Sequence, residues 1–154
     1  EKLFLLVIEM EVQNFNMMAP DGSNQILIST ANGFDDNLPK LSPDGNKVVF
    51  SGNRNVFPPY DYDIYVLNLL DNTEKNLTPN TGYQDTTPSW SPDGSYIIFS
   101  RNSGSNGNYE LFIMNDKGGL LSPLTNNGFN NLYPNWNINN YIVFYSNKDG
   151  DNEI

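Results

Sequence analysis

Trp90-Ser91-Pro92-Asp93-Gly94-Ser95-Tyr96-Ile97-Ile98-Phe99-Ser100 is the stretch on which the fold turns. A Pro, an Asp and a Gly in succession mark a tight turn: Pro presets φ, Asp caps the backbone, and Gly accepts φ > 0. The apolar run that follows is too short for a helix and ends in turn-forming residues, as a buried strand does. The same letters occur 49 positions earlier, where Leu41-Ser42-Pro43-Asp44-Gly45 precedes Lys47-Val48-Val49-Phe50-Ser51. A third copy keeps the frame without the turn letters: Pro134-Asn135-Trp136, then Tyr141-Ile142-Val143-Phe144-Tyr145-Ser146. Its Asn137-Ile138-Asn139-Asn140 predicts a first turn of different shape.

The connecting segments repeat too. Thr30 to Phe34 leads to Pro39, Thr78 to Tyr83 leads to Pro88, and Thr125 to Phe129 leads to Pro134, a period of 46 to 49 residues. Each unit reads as four strands. The first ends at Leu41, Trp90 or Trp136, and the second is the Val/Ile/Phe run. The third is Asp63 to Leu67 or Glu110 to Met114, and the fourth ends at Leu77-Thr78 or Leu124-Thr125. Consecutive short strands joined by tight turns pair antiparallel, and four strands at this period describe a propeller blade.

The pattern Pro-x-Trp-Ser-Pro-Asp-Gly, an apolar strand closing in Phe-Ser, an acidic-apolar-aromatic strand and then Leu-Thr resembles the TolB-type β-propeller repeat over roughly residues 13 to 154. The expected fold is therefore all-β: a propeller portion of about three four-stranded antiparallel blades. The register divides it into an N-terminal partial blade (1–30), blades at 38–78 and 87–125, and a C-terminal partial blade (133–154). Phe15 to Met18 and Ile26 to Thr30 match a third and a fourth strand, while Asn152-Glu153-Ile154 matches the start of a third. Propellers close with about four to eight blades. Two expectations follow: the chain is part of a longer one, or copies complete each other's split blades, two of them making the six-bladed ring that the resemblance implies.

Composition narrows the chemistry. The 154 residues carry 8 Lys plus Arg against 18 Asp plus Glu, a net charge of −10, which disfavours nucleic acid and anionic lipid. With no His and no Cys there is no imidazole base, thiolate nucleophile, disulfide, or His- or Cys-ligated metal. No apolar run is long enough for a membrane-spanning helix. Leu3 to Ile8, behind Lys2, reads as a strand, with the stub of a signal peptide as the alternative.

Candidate sites are few. Asn147, Asp149, Asp151 and Glu153 alternate oxygen ligands as a calcium loop does. They lack the spacing of a complete loop, and a plain hairpin turn is the favoured reading, with no cofactor expected. Asp61, Asp63, Asp85 and Glu110 raise the question of a glycosidase carboxylate pair, but nothing in the sequence brings two together. Ser42 and Ser91 have no base to activate them and read as turn residues. Trp90 with Trp136, and Tyr65 with Phe112, recur in register and are expected between blades. Tyr60, Tyr62 and Tyr109 are candidates for stacking on a sugar. Asn76-Leu77-Thr78 matches a glycosylation sequon but falls on the repeat's own Leu-Thr. The longer loop from Asn53 to Tyr62, with Pro58, Pro59, Tyr60 and Tyr62, is the candidate partner-binding surface.

The resemblance implies a non-enzymatic scaffold with a protein partner, in a periplasmic, extracellular or cell-surface setting. Its rivals are the propeller of a prolyl-oligopeptidase-like peptidase and a glycan-binding propeller.

Overall fold

The computed structural model describes residues 5–10, 13–28, 35–54, 61–79, 82–102 and 107–148. It contains only strands and turns there, in four antiparallel sheets. The first sheet is β1 (Leu5–Met10), β2 (Gln13–Met18) and β3 (Ile26–Leu27). The second is β4 (Asp35–Leu41), β5 (Lys47–Asn53), β6 (Asp63–Asn68) and β7 (Thr73–Asn76). The third repeats it as β8 (Asp85–Trp90), β9 (Tyr96–Asn102), β10 (Tyr109–Asn115) and β11 (Ser122–Pro123). The fourth is β12 (Asn131–Trp136) paired with β13 (Ile142–Ser146). Strands pair in chain order within each sheet, as propeller blades do. Leu5–Met10 pairs with β2 as β5 pairs with β6, so the first unit shows a second strand that the repeat register had not assigned.

The turn chemistry explains why these sequences stop and reverse where they do. Ser42 Oγ donates to Asp44 Oδ1 at 2.6 Å and accepts the Lys47 N–H at 2.9 Å, while Gly45 sits at φ 72° and donates to the Ser42 carbonyl. Ser91, Asp93, Tyr96 and Gly94 reproduce every one of these bonds. In the third copy Asn137 replaces both Ser and Asp: its Oδ1 accepts from the Asn139 and Tyr141 N–H groups. Asn140, at φ 65°, stands where Gly stood. That turn closes from Asn137 N to the Tyr141 carbonyl, one residue sooner than the other two, so its shape differs while its logic is kept.

Side chains alternate across each second strand and so divide between two cores. Val48 and Phe50 pack with Phe15, Tyr65 and Leu67 between the first and second sheets. Val49 faces the other way and joins Ile64, Val66, Leu77, Trp90, Ile97, Phe99 and Met114 between the second and third. Gly118, at φ +88°, lets the β10–β11 turn meet the second sheet. A Cβ there would lie 2.9 Å from the Leu77 carbonyl oxygen.

Each first strand also carries a bulge absent from the sequence reading. Register shifts fall between Asn37 and Lys40, Thr86 and Ser89, and Leu132 and Asn135. Leu38, Thr87 and Tyr133 sit there at φ 53–55°, each followed by a Pro. Left-handed backbone is unusual for any of these residue types and most strained for the β-branched Thr87. Pro39, Pro88 and Pro134 within a repeated strand frame were the available signal, because Pro cannot donate to a ladder.

Candidate functional site

Two regions bring chemistry-bearing residues together. The first lies at the edge where β5 and β9 end and β6, β8 and β10 begin. The ladder pairs Asp36 with Gly52, Asp85 with Arg101, and Asn131 with Ser146 at equivalent positions. Arg101 reaches back to its own ladder partner, Nε and Nη2 each lying 2.7 Å from an Asp85 carboxylate oxygen. Its guanidinium covers the Phe99 and Phe112 rings at 5.5 and 5.1 Å. In the second sheet the equivalent residue is Gly52, and the guanidinium comes instead from Arg54. It forks onto Asp36, bonds Glu74 at 3.2 Å and covers Phe50 and Tyr65 at 5.6 and 4.9 Å. Gly52 is required by this arrangement: a Cβ there would approach Asp36 Oδ1 to 2.9 Å and Arg54 Nη1 to 3.2 Å. One cation over one aromatic pair thus recurs in two sheets from different sequence positions.

Between the second and third sheets Asp63 joins the Asp85–Arg101 pair. Asn76 Nδ2 donates to Asp63 Oδ2 at 2.8 Å and to the Tyr65 hydroxyl at 3.0 Å. Thr78 Oγ1 accepts the Ile64 N–H at 2.9 Å and lies 3.4 Å from Asp63 Oδ1. Burial pushes the Asp63 carboxyl up to about 6; Asn76 opposes the shift, and the Asp61 and Asp85 charges add to it. Burial also raises Asp85, against the pull of Arg101. The sequence could not bring any two of Asp61, Asp63 and Asp85 together; the structure gathers all three around one joint. Glu110 stands apart at the next joint, where it accepts from Thr125 Oγ1, the Asn127 and Gly128 N–H groups and Asn131 Nδ2.

The second region lies at the opposite ends of the strands, beside the Ser-Pro-Asp-Gly turns. A cleft of about 340 Å³ is lined by Lys40, Pro43, Trp90, Pro92, Trp136 and Ile138, among others. Trp90 is buried among core residues, and its indole N–H donates to the Lys40 carbonyl at 3.1 Å. Trp136, at the equivalent position, also lies where sheets meet but is less enclosed than Trp90. It is half-buried, bonds Asn140 Oδ1 at 2.8 Å and lines the cleft beside Ile138, which is 88 % exposed.

The remaining sequence candidates have these positions. Pro58, Pro59 and Tyr60 lie outside the described residues, as do Asp149, Asp151 and Glu153. Tyr62 is half-buried and held by its backbone: its N–H donates to Gln84 Oε1 at 3.2 Å and its carbonyl accepts from Asp85 N–H. Asn147 Oδ1 accepts the Asn130 N–H at 2.7 Å. Among the described residues no acidic cluster has the geometry to hold a metal ion. The Ser42 and Ser91 hydroxyls are committed to their turns, and Asn76 of the sequon to Asp63 and Tyr65. Tyr109 is half-buried, with its N–H on Asn130 Oδ1 at 3.0 Å.

A family model described as the TolB beta propeller domain matches residues 21–154. No curated protein matches the chain. Among solved structures, TolB from Agrobacterium tumefaciens is similar at 22% identity and TM-score 0.75, over 90% of this chain and 47% of that one. TolB from Acinetobacter baumannii is similar at 21% identity and TM-score 0.74, over 97% of this chain and 37% of that one. An oligogalacturonate lyase from Vibrio parahaemolyticus shares the fold at 11% identity and TM-score 0.67, over 94% and 42% of the two chains. The chain spans less than half the length of each, and at these identities the likeness is one of fold.

Proposed function

The chain belongs to the TolB β-propeller domain family, and from that premise we propose that it is a non-enzymatic scaffold that binds an extended protein segment in the Trp136 cleft. The observation that carries this reading is the cleft itself, where two indoles, two prolines and an exposed isoleucine converge at a joint between sheets. Flat rings and prolines grip an extended, proline-bearing segment, whose ordering cost is low. A molecule of net charge −10 favours a segment carrying Lys or Arg.

The acidic joint does not compete with this reading. Asp63 and Asp85 are only 5% and 0% exposed, which leaves no space for a sugar ring between them, and their hydrogen bonds are taken within the protein. Membership of the family supports a periplasmic setting, which fractionation of the source cells would check.

A further blade of the same repeat is part of the reading. Tyr133, Val143 and Tyr145 are 55%, 46% and 41% exposed on the outer face of the fourth sheet. Ile98 and Ser100, the residues equivalent to Val143 and Tyr145, are fully buried against the sheet that follows theirs.

The binding site is tested by titrating the protein into an array of fluorescein-labelled basic, proline-containing peptides and reading fluorescence anisotropy. Binding in the micromolar range that disappears in Trp136→Ala and persists in Asp63→Asn is expected. Peptides that bind wild type and Trp136→Ala alike would exclude the cleft, and no binding by any peptide would exclude the segment chemistry proposed.

A further inference from the structure

The Trp136 cleft does not end at its larger chamber. A second depression of about 300 Å³ adjoins it, sharing Ser91, Pro92, Trp136 and Ile138 with the first and adding Asp93 and Tyr96. The two chambers differ in charge. Lys40 lines the larger and Asp93 the smaller, and both side chains are exposed. A cationic group is repelled from the first and drawn to the second.

The repeat supplies a comparison for the smaller chamber. In the second sheet the Ser42 hydroxyl and the Asn46 N–H hold the Asp44 carboxyl low, and the charge of Lys47, which opens the next strand, adds to them. Lys47 Nζ also bonds Asp116 at 2.9 Å. In the third sheet the residue at the Lys47 position is Tyr96, and among the described residues Asp93 has no ion-pair partner. Asp93 Oδ1 accepts from Ser91 Oγ at 2.6 Å and from the Ser95 N–H at 3.0 Å, which fixes the carboxylate and holds it below the usual carboxylate range. The anion is kept, while the cation of the repeat is exchanged for a ring that is 37% exposed. Trp136 has spent its single N–H on Asn140 Oδ1, so it offers the chamber carbon surface and no spare donor.

We propose that the smaller chamber is a subsite for a Lys or Arg side chain of the bound segment, its stem along Pro92 and Ile138 and its cation among the Tyr96 and Trp136 rings and the Asp93 carboxylate. This subsite rests on the extended-segment reading above and gives the segment a direction: the basic residue lies on the Asp93 side of Trp136, and neutral or acidic residues lie toward Lys40. Aromatic faces attract cations, and long basic side chains cover apolar surface with their stems. Each of these contacts is modest at an exposed site, so the subsite selects among segments more than it sets their affinity.

Two measurements on the whole chain test it. In the first, anisotropy compares a fluorescein-labelled, proline-containing peptide carrying one lysine with the same peptide carrying norleucine there. Wild type is expected to prefer the lysine peptide about fivefold. Asp93→Asn keeps an Oδ1 for the turn, as Asn137 does, and is expected to reduce that preference to about twofold or below. No preference in wild type, or one that Asp93→Asn leaves intact, would overturn the subsite; binding that still depends on Trp136 would then leave the segment reading standing. The second measurement needs no peptide. Nα-acetyl-lysine methylamide is titrated at millimolar concentration and followed by NMR, with the norleucine amide as control. Shifts of the Trp136 indole N–H and the Ser95 amide are expected with the lysine probe alone and are expected to vanish in Asp93→Asn. Such shifts in a chain that binds no peptide would support the subsite and overturn the segment reading. Equal responses to both probes, or none, would overturn the subsite.

Discussion

At the scale of single residues, the best-defined interaction is the Arg101 fork on Asp85. Both groups are almost wholly out of water, with side-chain exposures of 6% and 0%. A buried pair of this kind adds little over a well-packed apolar alternative, but removing one partner leaves the other charge stranded. Arg101→Met keeps an apolar stem over Phe99 and Phe112 and strands Asp85. It is expected to cost about 3–5 kcal/mol by urea denaturation at pH 7. The loss should shrink in acid, because burial already raises the Asp85 pKa and protonation removes the stranded charge. An equal loss at pH 7 and pH 4 would show that lost packing rather than uncompensated charge is responsible.

Within the elements, the repeat makes a controlled comparison inside one chain. The bulge residue and the second-strand residue near it are Leu38 and Ser51, Thr87 and Ser100, and Tyr133 and Tyr145. In the third sheet Thr87 Oγ1 donates to Ser100 Oγ at 2.8 Å. In the fourth the two positions hold rings 5.9 Å apart, edge to face. In the second, Leu38 replaces Thr87, and the buried Ser51 hydroxyl has no partner among the described residues. An unpaired buried hydroxyl weighs against folding, whereas a paired one contributes on the order of 1 kcal/mol. Ser51→Ala is therefore expected to leave stability unchanged or raised, and Ser100→Ala to lower it by about 1 kcal/mol, both read from melting curves. Equal losses would refute the comparison.

The same elements show what the sequence could disclose. Turn letters and strand composition are local, so the Ser-Pro-Asp-Gly copies gave the four-strand unit and its antiparallel order directly. The bulge is written only as a Pro in a repeated frame, and its left-handed residue carries no glycine to announce it. The acidic joint was hidden for a different reason. Asp63 and Asp85 belong to different units, and their meeting depends on how one sheet packs against the next. The guanidinium was harder still, because Gly52 and Arg101 hold equivalent positions while Arg54 supplies the charge. Trp136 looked like Trp90 by register; the shorter turn after it and the exposed fourth sheet give it another environment.

For the whole molecule, the repeated sheets stack face to face through cores that alternate along the chain, with no closed ring among the described residues. The outer face of the fourth sheet carries Tyr133, Val143 and Tyr145 in positions that are otherwise interior or change residue type from sheet to sheet. Exposed aromatic and aliphatic side chains on a sheet face drive association when a matching face is available. The central claim is that this face is a joint made to receive another blade of the same repeat. The most direct measurement is the native mass of the purified 154-residue chain, read together with its covalent mass of 17.4 kDa. With no further blade supplied in the same polypeptide, a discrete multiple of the covalent mass is expected, and Tyr145→Asp is expected to dissolve it. A monodisperse, folded species at the mass of one chain would contradict the claim.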